Sequence, residues 1–145
     1  FGAEAMPLMR FRTGDCAFML RERCRCGLWT PRIGPIIGRK NQMMKIRGTT
    51  VFPAAVQNVL NAMDEVIDYV MIVTSSEALS DEMEVIVAAR DSGPSLHGRL
   101  CENLRGALRV TPSVRIASLE EVLRIQDVDN FRKKRIFVDR RAPRP

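Results

Sequence analysis

The sequence predicts an α+β fold in which a small sheet carries two helices on one face. Two runs rich in β-branched residues, 69–73 and 83–89, are joined by a polar turn and read as an antiparallel pair. Leu96, Leu100, Leu104 and Leu108 recur every four residues, which draws one apolar stripe along a helix. A second stripe, Val56, Val59, Leu60 and Met63, follows Pro53, whose fixed φ suits a first helical turn.

Ahead of these elements, residues 8–12, 17–23 and 33–37 read as short strands, divided by a turn at Gly14-Asp15 and a loop over 27–31. They make a small β unit with one side missing. The chain opens abruptly on Phe1, and it reads as a fragment. A packing boundary is expected between Gly38 and Asn41, after which residues 43–47 and 50–52 can form strands leading into the Pro53 helix. Pro94 and Ser95 introduce the leucine helix and Pro112 marks its end. Val114 and Ile116 alternate as a strand, and residues 135–139 can form a last one. The order of the second unit is βαββαβ.

The 145 residues, 46% of them hydrophobic, suffice for a packed core. No stretch approaches the roughly 20 apolar residues that span a bilayer, so no membrane is expected, and the cytoplasm is the default setting. The net charge of +6 lies entirely in residues 131–145, where seven basic side chains face Asp139 alone. The rest is neutral. A short basic end with one Trp and one Tyr in the whole chain offers little for base stacking, and nucleic acid is not an expected partner. Four cysteines, unevenly spaced, are too few for a disulfide scaffold and read as reduced thiols or metal ligands.

Two strings carry chemistry. "PLMRFRTGD" at 7–15 is a strand feeding a tight turn that ends in a carboxylate; alone, it also fits an ordinary hairpin turn. "IGRKNQMMKIRGTTVFP" at 37–53 follows it in a fixed order. Together they resemble the ribose-binding turn and the hinge segment of the adenylate-forming superfamily, which contains acyl-CoA ligases and peptide-synthetase adenylation domains. The "GTTVFP" continuation and the ending "FRKKRIFVDRR" look most like phenylacetate-CoA ligase and its relatives. The likeness runs from Met6 to Arg141.

The resemblance implies that residues 1–38 are the terminal strands of a large adenylation domain and residues 39–145 a C-terminal lid, with the rest of the polypeptide upstream. It implies that Asp15 matches the ribose-binding carboxylate, suited to two charge-assisted hydrogen bonds from vicinal hydroxyls. Arg39 matches an arginine that reaches ribose or phosphate, with a surface ion pair as the plain alternative. The hinge falls on Asn41, where many members carry Asp. Gly48 matches a glycine near the pantetheine tunnel, and a turn glycine explains it equally. Lys133 aligns with the catalytic lysine when Asp139 and Arg141 match the closing Asp and Arg; Arg132 stands where a glycine often precedes it, and Lys134 offers a competing register. The implied reactants are ATP with Mg2+, CoA and an aromatic carboxylic acid. A homodimer is compatible with the resemblance.

Cys16, Cys24 and Cys26 can supply three thiolates to a structural zinc, the fourth ligand coming from elsewhere, although one intervening residue is a narrow spacing for zinc. The phosphate-gripping loop and acid pocket of the superfamily are not among these residues, so the chain alone is expected to be inactive. A competing class is a non-catalytic α+β module that binds small molecules or nucleic acid. It leaves the joint occurrence of "RTGD" and "GRKN" unexplained.

Overall fold

The computed structural model describes residues 10–76, 80–91, 93–127 and 133–141. The chain divides into two units, Phe1–Asn41 and Gln42–Pro145.

In the first unit, β1 (Asp15–Leu20) pairs antiparallel with β2 (Arg32–Arg39), with register shifts near Cys16 and Ala17. The strand expected over 8–12 is not formed at 10–12, and residues 8 and 9 lie outside the described residues. Arg10 has a φ of 56°, which an extended strand does not accommodate. Phe18, Ile33 and Ile36 are exposed on this two-stranded sheet, and Trp29 is exposed in the loop that joins its strands. Arg23 lies over the Trp29 ring at 4.8 Å.

The second unit opens with a hairpin of β3 (Met44–Ile46) and β4 (Thr49–Val51). Its two-residue turn, Arg47-Gly48, has φ values of 47° and 81°, the positive pair that a type I′ turn requires. Next come α1 (Pro53–Asn61), β5 (Val66–Ser75), β6 (Asp81–Ala89), α2 (Leu96–Leu108), β7 (Ser113–Ala117), α3 (Leu119–Gln126) and β8 (Phe137–Asp139). The sheet order is β7-β6-β5-β8. β5 and β6 are antiparallel, as their sequences predict, while β7 joins β6 and β8 joins β5 in parallel. Both central strands are buried on two sides, hence their nearly continuous apolar runs.

One sheet face, with Met71, Val73, Val85 and Val87, packs under Val56 and Leu60 of α1 and under all four leucines of α2. Each leucine so buried contributes about 1.5–3 kcal/mol. The two expected helices thus share one face, and a third helix that the sequence reading did not expect is added to them. α3 covers the other face, where Val122 packs on Val70, Ile72, Ile86 and Ala88. Its start carries a capping signal, since the Ser118 side chain accepts a hydrogen bond from the Glu121 amide at 3.2 Å. α3 spans only eight residues, too short for its apolar period to stand out in the sequence. α2 ends at Leu108, ahead of Pro112, because Arg109 adopts the left-handed conformation with φ 59°.

Candidate active site

In the first unit the "RTGD" turn meets the segment ahead of Asn41. Gly14 holds the turn at φ 77°, and its carbonyl accepts from the Lys40 amide at 2.8 Å. The Asp15 amide donates to Thr13 Oγ1 at 3.2 Å. Asp15 pairs with Arg39 across β1 and β2, so two residues far apart in sequence lie side by side. Arg39 Nε stands 3.6 Å from Asp15 Oδ1. Thr13, Gly14, Arg39, Lys40 and Asn41 line an open recess of about 450 Å3. A carboxylate, a guanidinium and two turn residues facing solvent form a surface able to bond vicinal hydroxyls and an adjacent anion. Asn41 lies in a single 3-10 turn, Lys40–Gln42, at the division between the two units.

Gly48 is an exposed turn residue of the β3–β4 hairpin. Lys133 is exposed, and among the described residues it makes no hydrogen bond or ion pair. Arg132 lies outside the described residues. The neighbouring Lys134 is occupied, its Nζ lying 2.7 Å from Asp68 Oδ2 on β5. Asp68 also accepts from its neighbour's amide at Tyr69 and from Gln126 Nε2 of α3, at 2.9 and 2.8 Å. Burial pushes the Asp68 carboxyl up, but the bonds from Lys134 and Gln126 outweigh it, and its pKa falls below the ordinary value.

Further along the same segment, Arg141 Nη1 donates to Asp81 Oδ2 at 3.1 Å and to the Met43 carbonyl at 2.9 Å. Its Nη2 reaches Asp139 Oδ2 at 2.7 Å. The Asp139 hydrogen bond, working against burial, raises the Arg141 pKa above its ordinary value. Asp68, Asp81 and Gln126 were not singled out by the sequence. Their signal is a polar residue on an otherwise buried strand or helix face, which is weak until the partner is known.

The zinc reading of Cys16, Cys24 and Cys26 needs correction. Among the described residues no three His, Cys, Asp or Glu side chains gather as a ligand set. Cys16 lies on β1 opposite Gly38, whereas Cys24 and Cys26 sit in the turn between β1 and β2. All four cysteines are free, and the Cys24 thiol is held below its ordinary pKa by the amide and thiol of Cys26, with Arg32 adding charge. These residues do not fit a tetrahedral zinc. Among the described residues no helix is long and apolar enough to cross a membrane.

A mixed sheet with helices on both faces is consistent with the small C-terminal domain of adenylate-forming enzymes. The family model described as the AMP-binding enzyme C-terminal domain matches residues 48–141, and the chain belongs to that family. Phenylacetate-coenzyme A ligase of Thermus thermophilus is 46% identical over 84 residues, which are 58% of this chain and 19% of that protein. The Pseudomonas putida ligase of the same description is 41% identical over 54 residues, 37% of this chain and 12% of that protein. The chain therefore matches less than a fifth of the length of these curated relatives.

Solved structures bear out the fold. A domain of phenylacetate-coenzyme A ligase from Bacteroides vulgatus superposes with a TM-score of 0.54 at 21% identity, over 70% of this chain and 95% of that one. A 2-hydroxyisobutyryl-CoA ligase in the postadenylation state, in complex with 2-HIB-AMP, gives a TM-score of 0.62 at 21% identity over 88% of this chain and 28% of that one.

Proposed function

We propose that this chain is the C-terminal part of an ATP-dependent CoA ligase acting on an aryl or arylacetic acid, with residues 1–38 completing a larger adenylation domain and residues 39–145 forming its lid. The pairing of Asp15 with Arg39, 24 residues apart in sequence, is the observation that carries this reading. The family membership and the 46% identity to a phenylacetate-coenzyme A ligase support it. So do the exposed Phe18, Ile33 and Ile36, since a two-stranded sheet with bare apolar side chains is marginal without further strands.

In this reading the carboxylate substrate attacks the α-phosphate of ATP, giving an acyl-adenylate and pyrophosphate; CoA thiolate then displaces AMP to form the thioester. Asp15 accepts the ribose hydroxyls and Arg39 bonds ribose or phosphate. Lys133, exposed and without a partner among the described residues, supplies positive charge to the phosphate oxygens as adenylation builds charge there. Mg2+ travels with the ATP phosphates, and no side chain of this chain is assigned to it. Between the two steps the lid turns about the segment at Asn41, where the units divide, and the β3–β4 turn with Gly48 approaches the pantetheine arm. A cytoplasmic setting, where ATP and CoA are supplied, belongs to this reading.

The test is to measure the two half-reactions separately in the full-length protein, with phenylacetate as the probe acid. Lys133→Ala should slow adenylation by about 10² to 10³-fold and leave thioester formation from preformed acyl-adenylate much less affected. Equal slowing of both would remove Lys133 from its role.

A further inference from the structure

We propose that Asp68 is a positioning residue for adenylation, holding Lys134 so that the adjacent Lys133 starts from a fixed backbone; this rests on the role given to Lys133 above. The Asp68 side chain is only 11% exposed, and each of its oxygens is engaged. Oδ1 accepts from the Tyr69 amide and Gln126 Nε2, and Oδ2 faces Lys134 Nζ at 2.7 Å. Gln126 is itself fully buried and also donates to the Tyr69 carbonyl at 2.9 Å. A buried amide therefore sets the carboxylate, and the carboxylate sets the lysine.

The segment that follows is tied to the same strand. The Met71 amide donates to the Ile136 carbonyl at 2.8 Å, and β8 then runs parallel to β5. Lys134 is the earliest point among residues 133–141 at which a side chain is pinned to the sheet. Lys133 is the residue just before it and reaches solvent. An ion pair with one exposed partner adds little to folding stability. Its consequence is geometric, because a charge that stabilises a transition state acts only from the right place.

The experiment uses the full-length ligase, with ATP and phenylacetate for adenylation and preformed phenylacetyl-adenylate with CoA for thioester formation. Asp68→Asn keeps an oxygen for Gln126 and Tyr69 but drops the charge that holds Lys134. It should lower kcat for adenylation about tenfold, with little change in KM for ATP. Thioester formation should stay at the wild-type rate. Lys134→Ala, on the exposed side of the pair, should reproduce the defect, Lys134→Arg should recover part of it, and Asp68→Asn/Lys134→Ala should be no slower than either single variant.

Equal slowing of both half-reactions would mark a general structural role and overturn the proposal. So would additive losses, or wild-type adenylation in both single variants. If Lys133→Ala, run alongside, kept its adenylation-specific defect in any of those cases, the proposed function would stand and the positioning role alone would fall. Loss of that defect would remove both.

Discussion

Arg141 Nη1 lies 3.1 Å from Asp81 Oδ2, with the two side chains only 8% and 1% exposed. The same carboxylate oxygen accepts the Lys45 amide at 2.7 Å, so one buried ion pair ties β3, the start of β6 and the segment after β8 together. Arg141→Met leaves Asp81 charged and buried, which should cost about 3–5 kcal/mol. Adding Asp81→Asn to that variant should return part of the loss, because the buried charge is gone. Denaturant titrations of the two variants against the parent chain check this.

Stability should depend modestly on pH through Asp68, whose hydrogen bonds from Gln126 and the Tyr69 amide add to the small contribution of the Lys134 pair. Its carboxyl pKa is lower in the folded chain than in the unfolded one, whose ordinary value is about 3.9. The unfolded state therefore binds the proton first as pH falls. The contribution is complete at neutral pH, shrinks below about pH 5 and is lost as pH passes below the native value. Melting temperatures of the parent chain and Asp68→Asn should differ most near neutrality and converge toward acid pH. A constant gap would contradict the assignment.

Gly48 occupies φ 81° with no heavy atom within 4 Å of an added Cβ, so space is available and the backbone conformation is the constraint. Gly48→Ala should destabilise the chain by about 1 kcal/mol through strain at that turn position. Thermal unfolding reads this directly. Any effect on CoA use in the proposed full-length ligase has to exceed what that loss explains.

Trp29 is the sole tryptophan, and it is 75% exposed. In the 145-residue chain its fluorescence should be that of a solvated indole, readily quenched by acrylamide. In the proposed full-length ligase the upstream strands of the large domain should cover the β1–β2 sheet and its connecting loop, and so protect Trp29. Equal quenching in both would count against that covering.

Local patterns determined most of this protein's central architecture. The 69–73 and 83–89 runs, the four-residue leucine spacing and the Pro53 start were legible because strand and helix periods are properties of neighbouring residues. The roles proposed for Asp15, Arg39 and Lys133 rest on resemblance, since single charged residues carry no period. The tertiary structure decided the rest. α3 found its place on the second sheet face only once β5 and β6 presented Val70, Ile72 and Ile86 to Val122. Gln126 meets Asp68 across 58 positions, Lys134 meets it across 66, and Arg141 meets Asp81 across 60. No local repeat spans such distances. These polar groups are held together because burial makes an unpaired charge or amide costly, and the fold alone determines which partner comes within reach.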